Sequence, residues 1–158
     1  MEFKKTQILI IDLGSQYTQI IRRSLRYLGY HCVIVAPEDS LLWVKDLPPV
    51  RAGGAQAGNK SGLKGIILSG GSASVYDTDA PKISEELLSF GVPIFGICYG
   101  MQLLSYIHDS NSINKERGGK SYGPVNVALG KSKLFSARGG PASGWKNLPK
   151  SLKAWSSH

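Results

Sequence analysis

The sequence predicts an α/β domain built on an open, mostly parallel sheet. Four short apolar runs, Gln7–Asp12, Tyr30–Val35, Lys64–Ser69 and Val92–Ile97, alternate with segments of helical spacing. Glycines close several of these segments. Three unusual stretches, Gly14–Tyr17, Ser69–Gly71 and Gly96–Gly100, fall just after the first, third and fourth runs, where ligand sites of such sheets gather.

Taken in order, Gln7–Asp12 is a short apolar run ending at an acid and a glycine, as a buried first strand does. Tyr17, Ile20, Ile21, Ser24, Leu25 and Leu28 then recur at helical spacing, and Gly29 follows as a stop. Tyr30–Val35 alternates as a second strand. Pro48–Gly62, rich in Pro, Gly and Ala without periodicity, is expected to be a surface loop. Lys64–Ser69 is the third strand. Pro81–Phe90 is expected to be a short amphipathic helix with proline in its first turn. Val92–Ile97 is the fourth buried run, and Met101–Ile107 the helix after it. Beyond Ile107 the pattern weakens: Val125–Leu129 reads as a strand and Ala137–Trp145 as a loop or insertion.

Composition narrows the class. The chain has 158 residues, 42% of them hydrophobic, and a mean hydropathy of -0.10, as expected of one soluble globular domain. No apolar run approaches the roughly 20 residues of a membrane helix, and Met1–Gln7 is charged and leads straight into a strand, unlike a signal peptide. Two cysteines, Cys32 and Cys98, make neither a disulfide framework nor a zinc site, so no metal and a reducing cytoplasm are expected. The net charge of +8 is concentrated in Asn111–His158, which holds nine Lys and Arg against Glu116 alone. These cations are dispersed among Gly, Ser and Pro without interleaved aromatics. A solvated or partner-facing surface is therefore expected, and neither a nucleic acid nor a membrane partner.

The chemistry centres on Gly96-Ile97-Cys98-Tyr99-Gly100, a thiol counterpart of the Gly-x-Ser-x-Gly turn between strand and helix. A nucleophile held there needs small residues two positions away on each side. Its sulfur stands at a helix N-terminus, whose unpaired N–H groups favour negative charge. A buried core cysteine is the plain alternative. Ser69-Gly70-Gly71-Ser72 supplies a bare backbone after a strand. Gly71 N–H and Tyr99 N–H are candidate donors to a tetrahedral oxyanion formed at Cys98. The alternatives are an ordinary Gly-Gly turn and a pyrophosphate-gripping loop, although Ala73 stands where the latter needs Asp. Gln102 lies one helical turn past Cys98, either recognising an amide or amino-acid head group or facing solvent. A cysteine nucleophile needs a base, yet His108 is about 15 Å along the helix, His31 begins the second strand, and His158 is the last residue.

Three segments carry a family resemblance: Ile10-Ile11-Asp12-Leu13-Gly14-Ser15-Gln16-Tyr17-Thr18-Gln19, Ile66-Ile67-Leu68-Ser69-Gly70-Gly71, and Gly91-Val92-Pro93-Ile94-Phe95-Gly96-Ile97-Cys98-Tyr99-Gly100-Met101-Gln102. Together they resemble the class I (triad) glutamine amidotransferases, and the first resembles their GMP synthase branch. The likeness resumes at Leu148–His158, where Trp155-Ser156-Ser157-His158 is similar to the family's Trp-x-Ser-His-Gly-Asp stretch. Tyr122-Gly123-Pro124 looks like the family's Glu-Tyr-Gly-Pro turn, with Ser121 replacing the acid.

The resemblance implies a mostly parallel, mixed open sheet with helices on both faces. It implies that Cys98 attacks the side-chain amide of glutamine, forming a glutamyl thioester and releasing ammonia. Gly71 and Tyr99 match the oxyanion donors, Gln102 a glutamine-binding side chain, and Ser157 a contact to the amino acid's head group. No cofactor is implied for this domain. ATP and magnesium belong to the ATP pyrophosphatase (synthetase) domain or subunit that aminates xanthosine monophosphate to GMP, the implied partner.

Departures shape the remaining expectations. Ser72 replaces a usual proline, and Ala52–Gly62 and Ala137–Gly144 look inserted. The family's Gln-Phe-His-Pro-Glu segment, with its catalytic His and Glu, has no counterpart here, and His158 matches a non-catalytic position. The expectation is therefore a single partial amidotransferase domain, residues 1–158. Its portion 111–158 would be basic and weakly structured, the C-terminal strands and the synthetase domain missing, and a sheet edge exposed. Little or no activity is expected of such a chain. A glutamine-binding or subunit-interaction module without catalysis is the competing expectation; a different cysteine hydrolase would need His31 or His158 at the pocket.

Overall fold

The computed structural model describes residues 6–47, 63–111, 122–128 and 151–157. The expected loop Pro48–Gly62, the stretch Ala137–Trp145 and His158 lie outside them. The chain divides into two units, Met1–Ile113 and Asn114–His158, each described by itself.

In the first unit, β1 (Ile8–Ile11), β2 (Cys32–Val35), β3 (Gly65–Leu68) and β4 (Ile94–Gly96) form a parallel sheet in the order β2-β1-β3-β4. Helix α1 (Thr18–Tyr27) connects β1 to β2, and α2 (Ser40–Lys45) lies on the way from β2 back across β1 to β3. Right-handed crossovers that reverse direction in this way carry α1 and α2 to opposite faces of the sheet. The core agrees. Leu9 and Ile11 of β1 align with Ile66 and Leu68 of β3, and all four are buried on one face with Val44, Leu47, Leu87 and Leu103. Ile10 is equally buried but points to the other face, as strand alternation requires.

Several elements differ from expectation. The periodic residues of α1 do not form its buried face: Tyr17, Ile20 and Leu28 are exposed, Ile21 and Leu25 half-buried, and Thr18 alone is buried. Helix α2 is an addition that six residues, under two turns, do not announce as periodicity. The expected helix Pro81–Phe90 is instead a 3-10 helix over Glu85–Phe90. The Ser84 hydroxyl caps it by accepting from Glu86 N–H, and Gly91 ends it at φ 66. The fourth run is not fully buried, because β4 borders the sheet and Phe95 is 58% exposed.

Helix α3 (Tyr99–His108) follows β4 after two residues. The second unit holds β5 (Tyr122–Ala128) and β6 (Ser151–Ser157), paired antiparallel from Tyr122 opposite Ser157 to Ala128 opposite Ser151.

Candidate active site

Cys98 joins β4 to α3 in a backbone conformation of φ 49 and ψ -112, and among the described residues it is the one non-glycine at positive φ. Side-chain-bearing residues rarely occupy this region, so the turn stores strain. Both flanking glycines are required by space. A β-carbon on Gly96 would stand 2.5 Å from Met101 N, and one on Gly100 would stand 2.7 Å from the carbonyl oxygens of Leu68 and Ser69. The Cys98 carbonyl accepts from the N–H groups of Met101 and Gln102, both at 3.0 Å, which starts α3. Tyr99 N–H, at the first helical position, has no carbonyl partner within the helix. Cys98 is exposed. The core-cysteine alternative describes Cys32 instead, which is buried with its thiol donating to Arg22 O at 3.4 Å.

The sheet order reverses between β1 and β3, so a crevice opens at the carboxyl ends of these strands. Gly70 stands beside the cysteine: a β-carbon there would lie 3.5 Å from Cys98 Cβ and 3.7 Å from Ser15 Oγ. Gly71 packs so closely on the Leu13 carbonyl oxygen that no β-carbon fits, with the Tyr99 ring on another side. The three segments singled out in the sequence therefore converge on one place. Tyr99 anchors the floor. Its ring is 1% exposed, and its hydroxyl donates to Pro81 O at 2.7 Å. Burial, and secondarily the Asp77 carboxylate, raise its pKa above the ordinary 10.0.

Sequence reasoning missed the residues that tie this crevice together. Asp12 Oδ1 accepts from Thr18 Oγ1 at 2.8 Å and from Gly14 N–H at 3.1 Å. The fully buried Ser69 hydroxyl accepts from Leu13 N–H at 2.8 Å. An acid closing an apolar strand before glycine was the available signal for Asp12. Nothing local marks Ser69, because its partner is 56 residues away.

Neither described histidine reaches the cysteine. His31 immediately precedes β2 and exchanges bonds with Gln7, at the amino end of the sheet. Cys98 stands at the carboxyl end, a strand length or about 13 Å away. His108 closes α3 at the far end of the helix.

The family model for glutamine amidotransferase class-I matches residues 9–158. The chain belongs to the class-I glutamine amidotransferases. It is 41% identical over 156 residues to a protein named GMP synthase [glutamine-hydrolyzing] from Campylobacter jejuni subsp. jejuni serotype O:23/36, covering 98% of this chain and 25% of that protein. To the protein of the same name from Petrotoga mobilis it is 35% identical over 152 residues, covering 96% of this chain and 24% of the relative. It thus spans about a quarter of the length of these curated relatives. Among solved structures, a protein described as a GMP synthase subunit, from Thermoplasma acidophilum, superposes with a TM-score of 0.55 at 25% identity, over 98% of this chain and 65% of that one.

Within this amidotransferase chain, Gln102 is half-buried one turn from Cys98. Ser157 pairs with Tyr122 at the end of the β5–β6 ladder, in the second unit. A cavity of about 550 Å³ lies at the other end of α3, lined by Val75, Ile83, Leu103, Tyr106, Ile107 and His108 among others. Its volume does not make it the site, since Cys98, Gly70 and Gly71 lie elsewhere. Among the described residues no three His, Cys, Asp or Glu side chains gather as a metal site, and no helix is long and apolar enough to cross a membrane.

Proposed function

We propose that this chain is the glutamine-hydrolysing part of a GMP synthase, with Cys98 as nucleophile. The observation that carries the reading is the strained, exposed Cys98 held beside the bare backbone of Gly70 and Gly71. Cys98 Sγ attacks the side-chain amide carbon of glutamine. The oxyanion that forms is met by Tyr99 N–H from the start of α3 and by Gly71 N–H from the opposite wall. The tetrahedral species collapses to a glutamyl thioester as ammonia leaves with a proton, and water then hydrolyses the thioester. Gln102 is assigned to the amino-acid end of the substrate.

In this reading residues 1–158 act as one partial amidotransferase domain, with 111–158 as its basic portion. The ammonia serves a synthetase domain or subunit that binds ATP and magnesium and aminates xanthosine monophosphate to GMP, in the cytoplasm. The names of the Campylobacter and Petrotoga relatives and the description of the Thermoplasma protein support that partner. A module without chemistry is not favoured, because binding alone does not require a strained, exposed thiol at this turn.

The test is ammonia release from glutamine by this chain beside its Cys98→Ala variant. Slow, Cys98-dependent release is expected, since neither described histidine can serve the leaving group. Equal release by both proteins, with no Cys98-dependent acylation by an activated glutamyl ester, would overturn the assignment.

A further inference from the structure

The loop after β3 begins at Ser69, whose N–H donates to Ile11 O at 3.0 Å and whose side chain makes a second tie to the β1 side. Ser69 is 0% exposed, and its Oγ accepts from Leu13 N–H at 2.8 Å. The hydroxyl proton has two acceptors in reach, Gly70 O at 2.9 Å and Asp12 Oδ1 at 3.5 Å. Asp12 is itself held by Thr18 Oγ1 at 2.8 Å. The side chain therefore locks the first residue after β3 to the first residues beyond β1, across the crevice where the sheet order reverses. Gly70 and Gly71 follow directly, one beside Cys98 Cβ and the other against Leu13 O and the Tyr99 ring.

We infer that Ser69 is the positioning residue of the oxyanion hole. Its bond to Leu13 N–H sets where the Gly71 amide stands relative to Cys98 Sγ. This rests on the glutaminase reading above. Ser69 touches no substrate atom in this scheme. It acts through the loop, and a donor misplaced by a fraction of an ångström stabilises a transition state far less than one held in place. A burial role alone would give a different result: loss of stability, without selective loss of reactions that pass through an oxyanion.

The test uses the 158-residue chain and the γ-para-nitrophenyl ester of L-glutamate, followed by the nitrophenolate burst. Sγ bonds to the ester carbon, the acyl C–O bond breaks, nitrophenolate leaves with the electron pair, and the thiol proton passes to buffer. This leaving group needs no acid, and buffer takes the thiol proton, so the readout does not depend on a histidine of the chain. Alkylation of Cys98 by iodoacetamide, which forms no oxyanion, is the control. Absence of a Cys98-dependent burst in the unsubstituted chain would sink the glutaminase reading itself, and this inference with it. Given a burst, Ser69→Ala is expected to slow acylation at saturation by about 10–100-fold. The half-saturating concentration and the iodoacetamide rate should each stay within about threefold. Equal effects on both reactions, or none on either, would overturn the inference. Should the alanine variant fail to fold, Ser69→Thr, which keeps the hydroxyl, decides: a burst within about threefold of the parent supports the role and a larger loss refutes it.

Discussion

The bare α-carbon of Gly100 rests on Leu68: a β-carbon there would stand 2.7 Å from both the Cβ and the carbonyl oxygen of Leu68. The first turn of α3 is thereby seated on the end of β3, beside the Ser69–Gly71 loop. Two of the three nearest atoms are main-chain oxygens that cannot rotate away. Alanine would gain about 1 kcal/mol of helix propensity, but overpacking against backbone costs about 3 kcal/mol or more. Gly100→Ala is expected to lower stability by about 2 kcal/mol in denaturant titrations. A loss within about 0.5 kcal/mol, the range of ordinary surface changes, would contradict this packing.

The backbone at Cys98 makes a separate prediction. Its φ of 49 with ψ -112 suits glycine better than any residue with a side chain. Cys98→Gly and Cys98→Ala both remove the sulfur, so their difference isolates the backbone. The glycine variant is expected to be the more stable of the two by about 1–3 kcal/mol, while neither acylates. Equal stability would mean the turn stores no strain.

How much of this was legible in the sequence depends on the range of the interaction. The strands, α1, α3 and the Cys98 turn are written in local patterns: apolar runs, 3.6-residue spacing, and glycines flanking a cysteine. Gly70 and Gly71 were identifiable as bare backbone, although the reason Gly71 must be glycine, the Leu13 carbonyl against it, is set by sheet order. The spacing in α1 marks the helix but not its buried side, because an apolar stripe does not say which side meets the sheet; Ile20 is 53% exposed. The 3-10 helix at Glu85–Phe90 was misread because Pro81 resembles a helix start, whereas the hydroxyl cap is Ser84. Asp12 and Ser69 form a contact between neighbouring strands that are far apart in sequence, which periodicity cannot report.

His31 lies at the sheet's amino end, hydrogen-bonded through its backbone to Gln7. Its imidazole therefore has no path to Cys98. His31→Ala is expected to leave any Cys98-dependent hydrolysis within about twofold and stability within about 0.5 kcal/mol. Loss of hydrolysis with an unaltered circular dichroism spectrum would identify a different catalytic arrangement and remove the amidotransferase assignment of the site.

Tyr99 links the elbow to alkaline stability. Burial and, after it, the Asp77 carboxylate raise its folded pKa above 10.0, whereas the unfolded phenol titrates at the ordinary value. Above that pH the unfolded chain loses the proton first. The contribution is thus complete below the unfolded pKa and is lost as pH rises through the folded one. Tyr99→Phe removes the hydrogen bond to Pro81 O, worth about 0.5–1.5 kcal/mol, along with the titrating group. The parent is therefore expected to exceed the variant in stability near pH 8, and the gap to close or reverse by about pH 11. Denaturation midpoints of both proteins at the two pH values measure it. A gap that stays constant would show that the Tyr99 hydroxyl titrates no higher in the folded chain than in the unfolded one.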